Sequence, residues 1–451
     1  MTTTESFERA LDLLLRYKPE VIDLATSLNT EHPDFAMGNA LMAYLCLTAT
    51  DVPELAAARA AHERMNGSSM DDHTTMHAAA IGAWLAGDWQ RAATILDELL
   101  FARPTDVLAL QVGHQLDFFL GDARNLRDRP ARALEAFDAA DPRGAVVRGM
   151  FAFGLEESGQ YQKAEDVGMS AIEVHPDDVW AIHAVVHTME MRGLVERGIP
   201  FLRSRVDDWG AGNLFGVHNW WHLALFELEA GHHAEVLDIY DRHLHNSDSA
   251  GVPLEMLDAS ALLWRLMLDG VDSGSRFDEL SDAWAGRTAD QPWYVFNDVH
   301  AAMAFAGAGR LADVAAVIDK LAATGRSERE STNAMMTAEV GLPAARAVLA
   351  FAEERHDDVV ETLAPIRRSL HRFGGSHAQR DVLQRTLLES SLRSGRYEFA
   401  GELISERLGK RELSVYGWER RRHLSAAVGD DAAAQVADDQ VVALRSRFAA
   451  A

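Results

Sequence analysis

Apolar residues recur at steps of three and four along nearly the whole chain, and no stretch alternates with a period of two. The first pattern puts apolar side chains on one face of a helix, whereas strict alternation would mark a strand. Four segments then align on a glycine: AGDWQRA at Gly87, SGQYQKA at Gly159, AGHHAEV at Gly231 and SGRYEFA at Gly395. A glycine ending one apolar helix, followed by an aromatic or bulky residue and a small one, is the turn of a tetratricopeptide-type helix pair. The glycine is needed because the chain leaves the helix through a left-handed conformation that other residues adopt with strain. From Gly87 to Pro104 and from Gly159 to Pro176 the distance is 17 residues, so the second helix of each pair stops at a proline.

Weaker turns at Gly121, Gly193, Gly270 and Gly309 fill the gaps, with spacings of 34 to 39 residues between Gly87 and Gly309. Degenerate turns near Asp51 and at Glu353 to Asp358 extend the series to nine to ten pairs. Pro104, Pro142, Pro176 and Pro292 fall at unit joints. The expected fold is all-α: a right-handed tetratricopeptide-type superhelix forming a single solenoid over residues 1–451, with 1–50 and 400–451 as capping helices. Such pairs cannot bury their apolar faces alone and must stack on neighbours. A solenoid this long makes more than one superhelical turn, which turns its inner surface into a deep groove or closed pocket.

Composition narrows the functions. The apolar share is 48% and the charged share 25%, as in folded chains. The single cysteine, Cys46, excludes an intramolecular disulfide and any cysteine-built zinc or iron–sulfur site, and its apolar context predicts a core position. Lys and Arg number 43 against 69 Asp and Glu, a net charge of −26. That balance opposes phosphate-backbone and anionic-lipid binding, so the expectation is no nucleic acid and no membrane partner. No basic start with a long apolar run opens the chain, and no span of membrane length is evident, which predicts a cytoplasmic protein.

Less generic strings recur in the order HPDFAMGNALMAY, RPTDVLALQVGHQLDFFLGD, WAIHAVVHTMEM, VHNWWHLALF, LDASALLWRLMLDGVDSG, FNDVHAAMAF and FGGSHAQRDVL. Together they resemble the tetratricopeptide repeat protein 38-like family, from Phe35 to Leu383. The resemblance implies the repeat fold and brings no reaction, ligand or partner with it. His377 stands where the family form has Asn.

The unusual polar residues share one register. Counted back from the turn glycine of its own unit, His77 is at 10, His183 and His187 at 10 and 6, His218 and His222 at 13 and 9, Asp258 at 12, His300 at 9 and His114 at 7, with Asp117 three residues further on. These steps of three and four define one face of the first helix of each pair, the face that lines the concave surface. A lone helical histidine is most often a packing residue. Repeated from unit to unit, however, the choice is costly, because a buried imidazole needs hydrogen-bond partners that an apolar side chain does not. The candidate ligand-binding residues are His77, His114, Asp117, His183, His187, His218, Trp220, His222, Asp258, Asp298, His300 and Arg380; of these, His77, His114, His183, His187, His218, His222, Asp258, Asp298 and His300 are expected to surround one cavity. Trp221, Trp264, Trp293 and Tyr294 lie nearby and would supply apolar walls.

His183/His187 and His218/His222 are both i, i+4 pairs, a spacing that lets two imidazoles reach one divalent metal ion. Glu190 could add a carboxylate. Neither pair encloses the glutamate of a metalloprotease helix. In FGGSHAQRD, Ser376 and Gln379 have the spacing of a capping box; Arg380 and Asp381 could pair with each other's neighbours, or Arg380 could point inward to an anionic group, and Asn297 could likewise cap the helix bearing Asp298 and His300. The leading expectation is a helical-repeat protein that binds a small polar ligand or short peptide end in a pocket lined by His, Asp and Trp. A metal-assisted hydrolase or a histidine acid–base catalyst in the same pocket is the alternative, followed by a protein–protein scaffold. A homodimer is left open.

Overall fold

The computed structural model describes residues 2–138, 141–288, 291–327 and 331–448. The described residues form helices joined by short turns and contain no strand. All eight turn glycines, from Gly87 to Gly395, have φ between +66° and +85°. The two turns without glycine use the same conformation on ordinary residues, with Thr50 at +54° and Glu354 at +58°. Aspartates start many helices: the side chains of Asp88, Asp106, Asp122 and Asp178 accept hydrogen bonds from backbone N–H groups of the following turn. Ser376 and Gln379 make the reciprocal capping box.

Ten pairs run from Ala36–Thr48 to Tyr397–Lys410, flanked by the hairpins Thr3–Leu15 with Glu20–Glu31 and Val415–Ala427 with Asp431–Phe448. The chain is thus an all-α, tetratricopeptide-type helical-repeat solenoid. The first helix of each pair packs on the first helix of the next, and Pro142–Glu157, Val179–Met191 and Pro253–Leu268 are buried along nearly their whole circumference.

This burial arises because units far apart in sequence meet. The Arg265 guanidinium donates to the Ala378 carbonyl at 2.7 Å, and the Trp264 indole N–H to Thr386 at 2.9 Å. Tyr294 donates to the Phe119 carbonyl, and Asn297 to that of Thr50 at 3.2 Å. Asn297 is therefore a bridge between units and not a cap; it lies inside Val295–Gly307. At Gly121 a Cβ would fall 1.8 Å from the His371 carbonyl oxygen, so only glycine permits that approach. The inner faces close on one another, so that of the deep groove or closed pocket expected from the repeat count much is filled by side chains.

Cys46 is buried, as its context suggests. One continuous stretch, Thr332–Ala352, has the length and mean hydropathy (1.3) of a membrane span, contrary to the sequence expectation, but 61% of it is buried against its neighbours.

Asp117 illustrates how closure assigns a polar residue. Arg129, on the next helix, donates to both of its oxygens at 2.7 and 2.9 Å, and both side chains are sealed from solvent. Burial lifts the Asp117 carboxyl to about 6 against the pull of Arg129. Burial alone would lower Arg129, yet Asp117 holds it above its ordinary range. Asp117 is thus an architectural partner and not a ligand contact, correcting the sequence assignment. Removing one member leaves the other charged and buried, which typically costs about 3–5 kcal/mol. Asp117→Ala should lose that much stability in urea unfolding, and Asp117→Leu with Arg129→Met should regain most of it.

Candidate metal centre

Two inner helices, Val179–Met191 and Gly216–Ala230, lie side by side and each carries histidines four residues apart. Their i, i+4 pairs face one another. His218 Nε2 lies 3.2 Å from His183 Nε2 and 3.2 Å from His222 Nε2. The His183 and His187 ring centroids are 4.3 Å apart, and those of His187 and His222 are 4.4 Å apart. One ring nitrogen from each of the four lies within 4.8 Å of the others. His183, His187 and His222 are buried, and the side chain of His218 keeps 13% exposure.

Carboxyl groups hold the outer edges of these rings. His218 Nδ1 is 2.6 Å from Asp258, and His222 Nδ1 is 2.9 Å from Glu190. Glu156 lies 3.5 Å from His187 Nδ1. Gln379 donates to the second oxygen of Asp258 at 3.3 Å. The carboxylates of Asp258 and Glu190 accept, so Nδ1 of His218 and of His222 carries the proton and the opposite Nε2 of each is left as a lone pair. The walls are aromatic: Trp221 stacks on His218 at 5.2 Å, while Phe153, Trp180 and Phe215 surround His183 at 4.9–5.1 Å.

This environment favours neutral imidazole. Burial, and then the neighbouring rings, hold His183 and His222 well below the usual histidine range. Burial brings His187 down to about 4, with Glu190 and Glu157 pulling the other way. Glu156 is held well above the carboxylate range by burial and then by Glu157. Burial also raises Glu157, but His377 and Arg380 more than offset that effect and keep it low.

The other sequence candidates separate into distinct places. His114 packs edge-on against Trp180 and Phe153, beside the four-histidine group, with both ring nitrogens buried and unpartnered. His300 donates from Nδ1 to the Phe296 carbonyl at 2.7 Å and leaves a buried, unpartnered Nε2. One oxygen of Asp298 is buried without a partner, and burial pushes its carboxyl to about 7. His77 belongs to a separate group with Tyr44 (3.1 Å), Asp106 (3.3 Å) and His73. Trp220 stacks on His243 at 3.7 Å and donates to the Gly210 carbonyl. Arg380 pairs with Glu157 at 3.1 Å and donates to the carbonyls of Gly374 and Gly375. The single cavity expected around His77, His114, the four central histidines, Asp258, Asp298 and His300 is thus replaced by separate groups, because packing between distant units fills the space between them. The sequence reading missed Glu156; its signal is a pair of acids ending the uncharged run GMFAFGL just before Gly159.

No known protein-family profile matches the chain. Solved helical-repeat structures align with nearly all of it at low identity. Human IFIT1, solved as a dimer with m7Gppp-AAAA, matches 98% of this chain and 94% of its own at 11% identity and TM-score 0.41. Yeast Tom70 matches 99% and 95% at 10% identity and TM-score 0.32. Naa15/Naa10 bound to HypK-THB matches 98% and 63% at 13% identity and TM-score 0.26. What these proteins share with this chain is the helical-repeat architecture. One sequence expectation is corrected here, the exclusion of nucleic acid. IFIT1 is solved with m7Gppp-AAAA and with PPP-AAAA, so a helical-repeat build does not exclude that partner class. The net charge of −26 does not exclude it either, because it hides a local excess of cations: one cavity near the C-terminus is lined by six Lys and Arg residues and two acids.

Burial lowers His114 to about 3 and His300 to about 4. An unfolded histidine titrates near 6.5. As pH falls through that value the unfolded chain takes up protons that the folded chain refuses until about pH 4 or 3, so stability is full above about 6.5 and is lost below it. In chelator-treated protein these two histidines tilt the unfolding free energy downward from pH 6.5 to 4.5, against the opposite slope of Asp117, Asp298 and Glu156, whose raised carboxyls take up protons first in the folded chain. His114→Phe should lessen that downward tilt by about 1.4 kcal/mol per pH unit, as read by urea unfolding across the range.

Proposed function

We propose that this chain is a helical-repeat metal-binding protein whose centre holds one divalent first-row transition ion between His183, His187, His218 and His222. One observation carries the reading. His218 and His222 commit their Nδ1 protons to Asp258 and Glu190, so their Nε2 lone pairs face each other at 3.2 Å. Two such lone pairs repel unless a positive centre lies between them. A proton can bridge only one such edge, whereas a metal ion accepts every lone pair at once. Nitrogen ligands about 2.0–2.1 Å from a tetrahedral zinc ion lie about 3.3–3.4 Å apart, close to both measured edges.

The chemistry of the surroundings agrees. A histidine ligand usually gives its outer N–H to a carboxylate, which fixes the ring and raises its basicity. Burial keeps His183, His187 and His222 neutral and ready to coordinate without first losing a proton. Imidazole ligands without thiolate suit zinc, copper, iron or nickel, and calcium and magnesium poorly. Four protein ligands complete a tetrahedral shell, as in structural sites, whereas a hydrolytic zinc keeps a position for water. The reading therefore favours binding over hydrolysis: the polar ligand of this inner surface is an ion, joining Val179–Met191 to Gly216–Ala230. The resemblance strings WAIHAVVHTMEM and VHNWWHLALF contain all four proposed ligands.

Elemental analysis and titration with zinc should give one ion per chain. His218→Ala with His222→Ala should abolish it, and Asp258→Asn should weaken affinity about 10–100-fold. Chelation should lower the melting temperature of the parent protein and leave that of the double variant unchanged. A parent chain that binds no transition ion, or a double variant that binds as well as the parent, would sink the proposal.

A further inference from the structure

A cavity of about 600 Å³ lies near the C-terminus, between His377–Arg393, Tyr397–Lys410 and the turn Leu370–Phe373. Its cations are Arg367, Arg368, Arg380, Arg407, Lys410 and Arg411, and its acids are Asp381 and Glu406. With Glu157, which pairs with Arg380, the six cations face three acids, leaving three positive charges in a chain whose net charge is −26, so the composition does not account for them. Bringing like charges together costs free energy unless a counter-charge joins them.

The internal counter-charges are already engaged. Glu406 takes Arg367 at 2.7 and 2.9 Å, and Asp381 takes Arg407 at 2.7 and 3.1 Å. Arg407, Arg411 and Arg385 hold the Asp381 carboxyl far below its usual range despite burial. Arg380 is spent on Glu157. Arg411 is left with only 9% exposure; it reaches Asp381, already shared with Arg407, at only 3.8 Å, and among the described residues its side chain hydrogen-bonds only to the Met191 sulfur at 2.8 Å. A thioether is a weak acceptor for a guanidinium. The Nε of Arg407 is buried with no partner at all. Arg368 and Lys410, exposed at the rim, make no hydrogen bond to the described residues. Buried cationic donors without acceptors are costly. Guanidinium groups match phosphate oxygens in geometry and charge. The apolar floor, Leu388 and Leu403, would receive the uncharged body of a ligand, and the volume is that of a small-molecule site.

We infer that this cavity binds a phosphate-bearing small molecule through Arg411, Arg407 and the rim cations Arg368 and Lys410. The site shares none of the four histidines of the metal centre. Calorimetric titration of the full chain with glucose 6-phosphate, inorganic phosphate and citrate tests it and separates the sources of anionic chemistry. Glucose 6-phosphate should bind, more weakly as salt rises, and more tightly than inorganic phosphate. Arg368→Gln, at an exposed position, should reduce affinity several-fold with an unchanged melting temperature, and Arg411→Met at least ten-fold. His222→Ala should retain phosphate binding. Binding of neither phosphate, affinity unaffected by Arg368→Gln and Arg411→Met, or tighter binding of citrate would each overturn the assignment. A 5′-triphosphorylated RNA oligonucleotide that outcompetes glucose 6-phosphate a hundred-fold would replace the small molecule by an RNA end and overturn it equally.

Discussion

Closure of the superhelix on itself constrains every polar group on the inner helices. Once Arg265 reaches Ala378 and Trp264 reaches Thr386, the facing surfaces of distant units are dry. A buried polar atom then needs a partner within the fold, or it carries the full cost of its lost hydration. Asp117 is answered by Arg129, and Asn297 by Thr50. The four central histidines are answered only on their outer edges, by Asp258 and Glu190, with Glu156 near a third. What remains inward is a convergence of ring nitrogens in contact mainly with one another, with both nitrogens of His187 buried and unpartnered among the described residues.

That asymmetry makes the centre chemically specific. Two carboxylates fix two tautomers, the tautomers fix where the lone pairs point, and burial keeps His183, His187 and His222 neutral. Charge follows the same logic: a divalent ion is balanced by Asp258 and Glu190 when both are ionised. The C-terminal cavity shows the reverse arrangement. There the acids are spent on individual arginines, and cationic donors are left over. The closed solenoid thus places two groupings of opposite character in one chain, a cluster of buried imidazoles and a cation-lined cavity.

Much of the scaffold was legible in the sequence because its signals are local. A glycine with φ near +75° is demanded by the turn itself, so Gly87, Gly159 and Gly395 mark their hairpins without any tertiary information. The turns at Thr50 and Glu354 were harder to place, because packing there enforces the same backbone on residues with no special preference for it. The i, i+4 spacing of His183/His187 and His218/His222 was equally readable. Their neighbours were less so. That Asp117 belongs to Arg129 and Asp106 to His73 depends on helix-to-helix contacts. The register of the inner face was read, but the filling of the groove was not, because it rests on contacts such as Asn297 with Thr50, 247 residues apart. Net charge misled for a related reason: it averages over the surface and is silent about six cations gathered in one cavity.

The most direct measurement is X-ray absorption at the zinc edge on the zinc-loaded full-length protein. The account predicts a shell of four nitrogen scatterers at about 2.0–2.1 Å, with the multiple-scattering pattern of at least three imidazoles and no sulfur. That pattern should be lost in His218→Ala with His222→Ala. An oxygen-dominated shell, or an imidazole shell that survives in the double variant, would contradict it.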